Sequence, residues 1–179
     1  MSEKWNSKTP WNNDNYILRC LSADFGPSKS SGKPMITMEH EVIAPQEVEI
    51  GGKMVTVAGT KIKTYNVTQS INEAGEVDME KTESIRERLE KLYAAYGLDF
   101  TTFNAENPDV TGFVGKCVHA YVVANPTEKR KSPTAEQLKK GEKQGDILKN
   151  PITGKPMVEY WPKIDEIFGL ATDVAGGQF

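Results

Sequence analysis

The sequence predicts a mainly β fold, a small five-stranded barrel with one helix between its third and fourth strands. Three observations carry that reading. Apolar residues alternate with polar ones in three stretches before residue 70, as half-buried strands require. One amphipathic segment follows, with Ile85, Leu89, Leu92, Tyr93 and Tyr96 at helical spacing opposite Arg86, Glu87, Arg88, Glu90 and Lys91. Beyond it lie an apolar run and a last short strand.

The first strand is Asn15 to Phe25, closed by the loop Gly26 to Pro34, whose glycines, prolines and serines break regular structure. Met35 to Ile43 alternates next, placing Ile36, Met38, His40 and Val42 on one face and Met35, Thr37, Glu39 and Glu41 on the other. Gly51-Gly52 between Glu47–Ile50 and Met54–Val57 signals a projecting β-hairpin, because both turn residues can take positive φ. Lys61 to Val67 is the third long strand. It sets Lys61, Lys63 and Tyr65 on one face, a basic and aromatic row that suggests a ligand.

The helix is expected from Ser84, with Glu87 completing a capping box, to Gly97. Phe113 to Val123 reads as the buried central strand, and Met157 to Pro162 as the last, with a short helix or turn over Lys163 to Leu170. Between them Ser132-Pro133 opens a short helix that Gly141 ends. The organisation is therefore an N-terminal arm (1–14) with Trp5 and Trp11, a barrel domain (15–170) carrying a long basic loop (127–156), and a flexible tail (171–179).

Charge is segregated along the chain. Residues 127–156 hold eight basic and four acidic side chains, a balance of +4, while the remainder, with 14 basic and 21 acidic, stands at −7. No apolar run approaches the roughly 18 residues of a membrane span, and the first residues lack the apolar segment of a signal peptide. An intracellular protein is expected.

Catalysis and cofactors are not indicated. There is no phosphate-binding glycine loop and no nucleophile elbow. Cys20 and Cys117 lack CxxC spacing, and with two histidines a zinc site is short of ligands, so both cysteines read as small buried hydrophobes. Asp24, Glu39, Glu41, Asp165 and Glu166 form no recognisable two-metal motif, and carboxylates alternating on strands are usually solvated. No metal site is assigned.

Three strands, a helix and two strands is the order of the OB-fold, a partly open barrel whose strand face and loops bind oligonucleotides. Gly32-Lys33-Pro34 before a strand, Tyr96-Gly97-Leu98 closing the helix, Val114-Gly115-Lys116 opening a strand, and Ile164-Asp165-Glu166-Ile167 near the end extend the match. In this layout, from Asn15 to Leu170, the chain resembles the single-stranded DNA-binding proteins of tailed bacteriophages. The resemblance implies an OB-fold protein that coats single-stranded DNA during phage replication and recombination, in the cytoplasm of the bacterial host. It also implies recruitment of replication proteins through an acidic tail ending in an aromatic residue. Phe179 fits that pattern, but Asp173 is the sole acid among the last nine residues.

Single-stranded nucleic acid needs cations for its phosphates and aromatic faces for its unstacked bases. Lys61, Lys63 and Tyr65 supply both on one strand, Tyr160 and Trp161 add aromatics on another, and Lys129, Arg130 and Lys131 add charge from the basic loop. Lys33 and Lys116, in the two motifs above, complete the expected contact set. The competing reading is a non-catalytic phage accessory or structural protein that uses the same barrel to hold another protein.

Overall fold

A computed structural model describes residues 2–142 and 144–172. Strands take 43% of the chain and helix 15%, arranged as two sheets around one long helix. In chain order the elements are β1 (Glu3–Lys4), β2 (Asp14–Pro27), β3 (Pro34–Ala44), β4 (Glu47–Ile50), β5 (Lys53–Thr56), β6 (Lys61–Val67), α1 (Met79–Ala95), β7 (Cys117–Glu128), α2 (Ala135–Lys139) and β8 (Val158–Leu170). The main sheet has the order β6-β3-β2-β7-β8, and a small second sheet the order β1-β5-β4.

The main sheet is organised by β2, which pairs with β7 over Asp14–Arg19 and with β3 from Ile17 to Pro27. Tyr16, Leu18 and Cys20 point inward and are buried. Between Cys20 and Ser22 the register shifts, so Leu21 is a bulge and the inward set continues with Ala23 and Phe25. Ile36, Met38, His40 and Val42 of β3, Ile62 of β6, and Val118, Ala120 and Val122 of β7 complete the inner face. The outer edges, β6 and β8, approach each other within 8 Å between Cα atoms at several positions but form no hydrogen-bonded ladder. The sheet thus curls without a hydrogen-bonded closure.

Helix α1 covers this inner face with Ile85, Leu89, Tyr93 and Ala95. Tyr93 and Tyr96 both pack edge-on against Phe113, at 4.8 and 5.0 Å between ring centroids. The helix begins earlier than the expected Ser84. Asp78 caps it by accepting from the Lys81 backbone N–H (3.1 Å), and the Asp78 and Ser70 backbones are tied by an Asp78 N–H to Ser70 carbonyl bond (2.8 Å). Ser84 lies within the helix, where no free backbone donor needs it.

Two strand limits also differ from the sequence reading. Thr111–Phe113 is a 3-10 turn, so the central strand starts at Cys117 rather than Phe113. The last strand does not stop at Pro162 but runs on to Leu170 in place of a terminal helix or turn. Opposite Pro162, the Ala124 N–H donates to Asn13 Oδ1 (2.6 Å) and so points away from β8. Pro162 therefore sits at a non-hydrogen-bonded position of an edge strand, where its missing donor costs nothing.

The arm is not a free segment. Its β1 pairs parallel with β5, the Trp5 backbone N–H donates to Thr56 (2.9 Å), and Ser7 accepts from the Tyr160 N–H (2.7 Å). Trp11 is 3% exposed, packed on Tyr16 at 5.1 Å. The hairpin with Gly51 and Gly52 at φ +59° and +80° forms as expected, but the arm adds a third strand to it instead of leaving it to project alone. The expected tail lies, from residue 173 on, outside the described residues.

Candidate nucleic-acid interface

The outward row of β6 is present as the alternation requires. Ile62 is buried beneath it, while Lys61, Lys63 and Tyr65 are exposed, Tyr65 by 62%. What the sequence did not reveal is the charge across the ladder. Register places Glu41 opposite Lys61, Glu39 opposite Lys63 and Thr37 opposite Tyr65. Lys61 Nζ also lies 4.0 Å from Glu39 Oε1. Cross-strand carboxylates thus offset the two lysines, and the row is no unbroken cationic track.

Tyr65 is bordered by two grooves. One, about 540 Å3, is lined by Pro27, Ser28, Lys29, Met35, Lys63 and Tyr65 and lies against the loop that links β2 to β3. The other, about 150 Å3, lies between β6 and α1 and is lined by Tyr65, Asn66, Ile85 and Arg88. The ring therefore stands between a groove with Lys29 and Lys63 and a groove with Arg88. Neither Lys29 nor Arg88 is among the contacts expected from sequence. Lys29 carries a compositional signal, as a lysine in a Gly/Pro/Ser loop, whereas Arg88 reads only as the polar face of a helix. Lys33 is exposed in the same loop but lines neither groove.

The basic segment is more ordered than a long loop. Lys129 exchanges backbone hydrogen bonds with two flanking stretches, its N–H to Met157 (2.8 Å) and its carbonyl from Leu148 (2.7 Å). Lys131 bonds to one neighbouring stretch, its N–H to Asp146 (2.8 Å) and its carbonyl from Gly145 (3.1 Å). At Gly145 a Cβ would stand 2.4 Å from the Lys131 carbonyl oxygen, so only glycine permits this approach. Thr134 and Gln137 form a capping box on α2. The hairpin base extends into the segment as well, since β7 pairs with β8 as far as Glu128 and Val158.

A cavity of about 780 Å3 opens at this root, lined by Lys129, Arg130, Lys131, Gln144, Glu159 and neighbouring prolines. Lys129 Nζ pairs with Glu159 Oε1 at 3.2 Å, both side chains about a quarter exposed. Trp161 Nε1–H donates to the other oxygen, Glu159 Oε2, at 3.1 Å. The Arg130 guanidinium donates to the Gly145 carbonyl at 3.3 Å. Trp161 is 47% exposed and meets Trp5 edge-on at 6.2 Å, and Trp5 in turn meets Trp11 at 5.2 Å.

The structure thus gathers Lys63 and Tyr65 in one place and Lys129, Arg130 and Lys131 in another, and the cavities there share no residue. The two loops leave opposite ends of β2, the first after Pro27 and the second beyond the Asp14 end, where β7 runs past its pairing with β2. Tyr160 is half-buried and alternates to the other side of β8 from Trp161. Lys116 serves the scaffold. Its ammonium donates to the Tyr96 carbonyl (3.1 Å) at the helix C-terminus, where the dipole favours a cation.

Below the β3–β6 face lies a buried polar pair. His40 Nε2 is hydrogen-bonded to the Tyr96 hydroxyl, and Nδ1 faces the Ile62 backbone without a bond of regular geometry. Burial pushes the imidazole pKa down to about 4, with the Ile62 backbone acting weakly the other way. Burial likewise raises the Tyr96 phenol and brings the Cys20 thiol up to about 11. Cys20 is buried, Cys117 half-buried, and both are free thiols. Among the described residues no three His, Cys, Asp or Glu side chains converge to hold a metal ion, and no helix is long and apolar enough to cross a membrane.

Scanning protein-family models, the curated proteins and the solved structures finds no match to this chain.

Proposed function

We propose that the protein binds single-stranded DNA with little sequence preference, on an OB-like barrel, and serves phage DNA replication and recombination by coating the strand. The barrel assignment is supported by the strand order: β6-β3-β2-β7-β8 is the OB order, with α1 between the third and fourth long strands and the two edges drawn together. In such barrels the face of the second and third strands, here β3 and β6, and the loops after the first and fourth strands take the oligonucleotide.

The observation that carries the reading is Tyr65, a largely exposed ring on that face with a cation-bearing groove on either side. A base stacked on tyrosine contributes about 1–3 kcal/mol, whichever base it is, and Lys29, Lys63 and Arg88 are placed for the adjoining phosphates. Among the described residues no element presents a row of bidentate base readers to a duplex groove, so discrimination among sequences is not expected.

The test is an anisotropy titration of labelled single-stranded and duplex oligonucleotides of equal length at two salt concentrations. Single strands should bind more tightly, with affinity falling steeply as salt rises. Equal affinity for duplex would defeat the proposal. Absence of binding would favour a barrel that holds a protein partner instead.

A further inference from the structure

We infer that the cavity at the root of the β7–β8 hairpin is a phosphodiester site, and that in the free protein the carboxylate of Glu159 stands in for the phosphate. The inference rests on the single-stranded DNA reading and deepens it. Lys129, Arg130 and Lys131 line about 780 Å3 of open space, large enough for a nucleotide unit. The backbones of Lys129 and Lys131 are hydrogen-bonded to neighbouring stretches, and the Lys129 and Arg130 side chains are held by Glu159 and the Gly145 carbonyl, so this stretch is ordered before any ligand arrives.

Glu159 does what a bound strand would do there. One oxygen neutralises Lys129 at 3.2 Å, and the other accepts from the indole N–H of Trp161 at 3.1 Å. A phosphate offers the same features, negative charge for the ammonium and an acceptor oxygen for the N–H. When a phosphodiester takes Lys129, the carboxylate must give up its partner and be resolvated. Glu159 therefore weakens binding and softens its salt dependence, since one cation of the set is already matched. It is an affinity-limiting residue rather than a contact.

Glu159→Gln isolates this effect, because the amide oxygen still accepts from Trp161 while the charge opposite Lys129 is lost. Glu128→Gln is the control. It removes a charge from the lining of the same cavity but takes part in neither bond. With labelled oligo-dT, E159Q should bind several-fold more tightly than the unaltered protein at low salt. Its plot of log affinity against log salt should be steeper by about 0.7, the value of one added phosphate contact on a single strand. Glu128→Gln should change both quantities much less. The inference is overturned if E159Q binds no more tightly than the unaltered protein, or if E128Q gains as much.

If E159Q unfolds, Lys129→Met answers the same question, since part of what Lys129 gives a phosphate is already spent on displacing Glu159. It should cost less affinity than Lys131→Met, and an equal or larger cost would overturn the inference. Failure of the unaltered protein to bind oligo-dT would instead fell the single-stranded DNA reading, and this assignment with it.

Discussion

The β3–β6 face and the β7–β8 insertion both carry cations and an aromatic side chain, yet they are built on opposite plans. On the face, charge is balanced residue by residue, Lys61 against Glu41 and Lys63 against Glu39, and the prominent feature is the ring of Tyr65. In the insertion, positive charge exceeds negative, and of the three adjacent cations Lys129 is the one matched at short range by Glu159. A balanced face gives up long-range attraction but keeps a flat surface for stacking. An unbalanced insertion attracts phosphate from a distance and is weakened by salt. On the proposed reading, the comparison teaches that one protein can divide capture and base contact between two places.

The largest effect expected concerns the scaffold of the face alone. His40 lies beneath it with its pKa lowered to about 4, against 6.5 when unfolded. Between those values the unfolded chain binds the extra proton, so stability falls as pH is lowered from 6.5 to 4. At 1.36 kcal/mol per unit the loss approaches about 3 kcal/mol. Denaturant melts at pH 7 and pH 4.5 should show it, and His40→Gln should flatten that part of the profile. A slope unchanged in the variant would assign the pH dependence to other groups.

Next in size is the joint replacement of Lys129, Arg130 and Lys131 by alanine. Affinity for oligo-dT should drop roughly tenfold to a hundredfold, evenly across sequences, and the salt slope should lessen by about two. Melting temperature should hardly move, because the backbone bonds that order the segment remain. An unaltered slope would separate the insertion from nucleic acid altogether.

Tyr65→Ala sharpens the contrast from the other side. It should cost about 1–2 kcal/mol of binding, leave the salt slope as it was, and spare stability, while Tyr65→Phe should retain most of the affinity. A change of slope here would erase the division of labour. Trp161→Ala should have the smallest effect on binding, under about 1 kcal/mol, since its edge contact with Trp5 and its bond to Glu159 already engage much of the indole. A loss larger than that of Tyr65→Ala would move the principal stacking site to β8.

The sequence made much of the main sheet readable because its strands bury one face. Ile36, Met38, His40 and Val42 alternate, and so do Lys61, Lys63 and Tyr65 against Ile62, and period-2 patterns survive without any knowledge of neighbours. What depended on neighbours was lost. Pro162 reads as a strand end until the register shows that its nitrogen faces the open edge. Ser84 reads as the cap, but the ties between Ser70 and the first helical turn decide for Asp78. For the candidate site, the row on β6 was legible, but its compensation by Glu39 and Glu41 needed the pairing of residues 24 and 20 positions apart. The part played by Lys116 was hidden for the same reason, since its partner is a carbonyl 20 residues earlier.

The arm also decides what the protein can report about itself optically. The arm's Trp5 and Trp11 and the Trp161 of β8 form one file of contacts from the core to the outer side of β8. Indoles this close exchange excitation, so their emission is effectively a single signal that originates beside the insertion. Tyr65 stands among no tryptophans and is dark in that channel. Intrinsic emission will therefore register events at the root of the hairpin, and a strand held only on the β3–β6 face could pass unseen without a fluorophore introduced there.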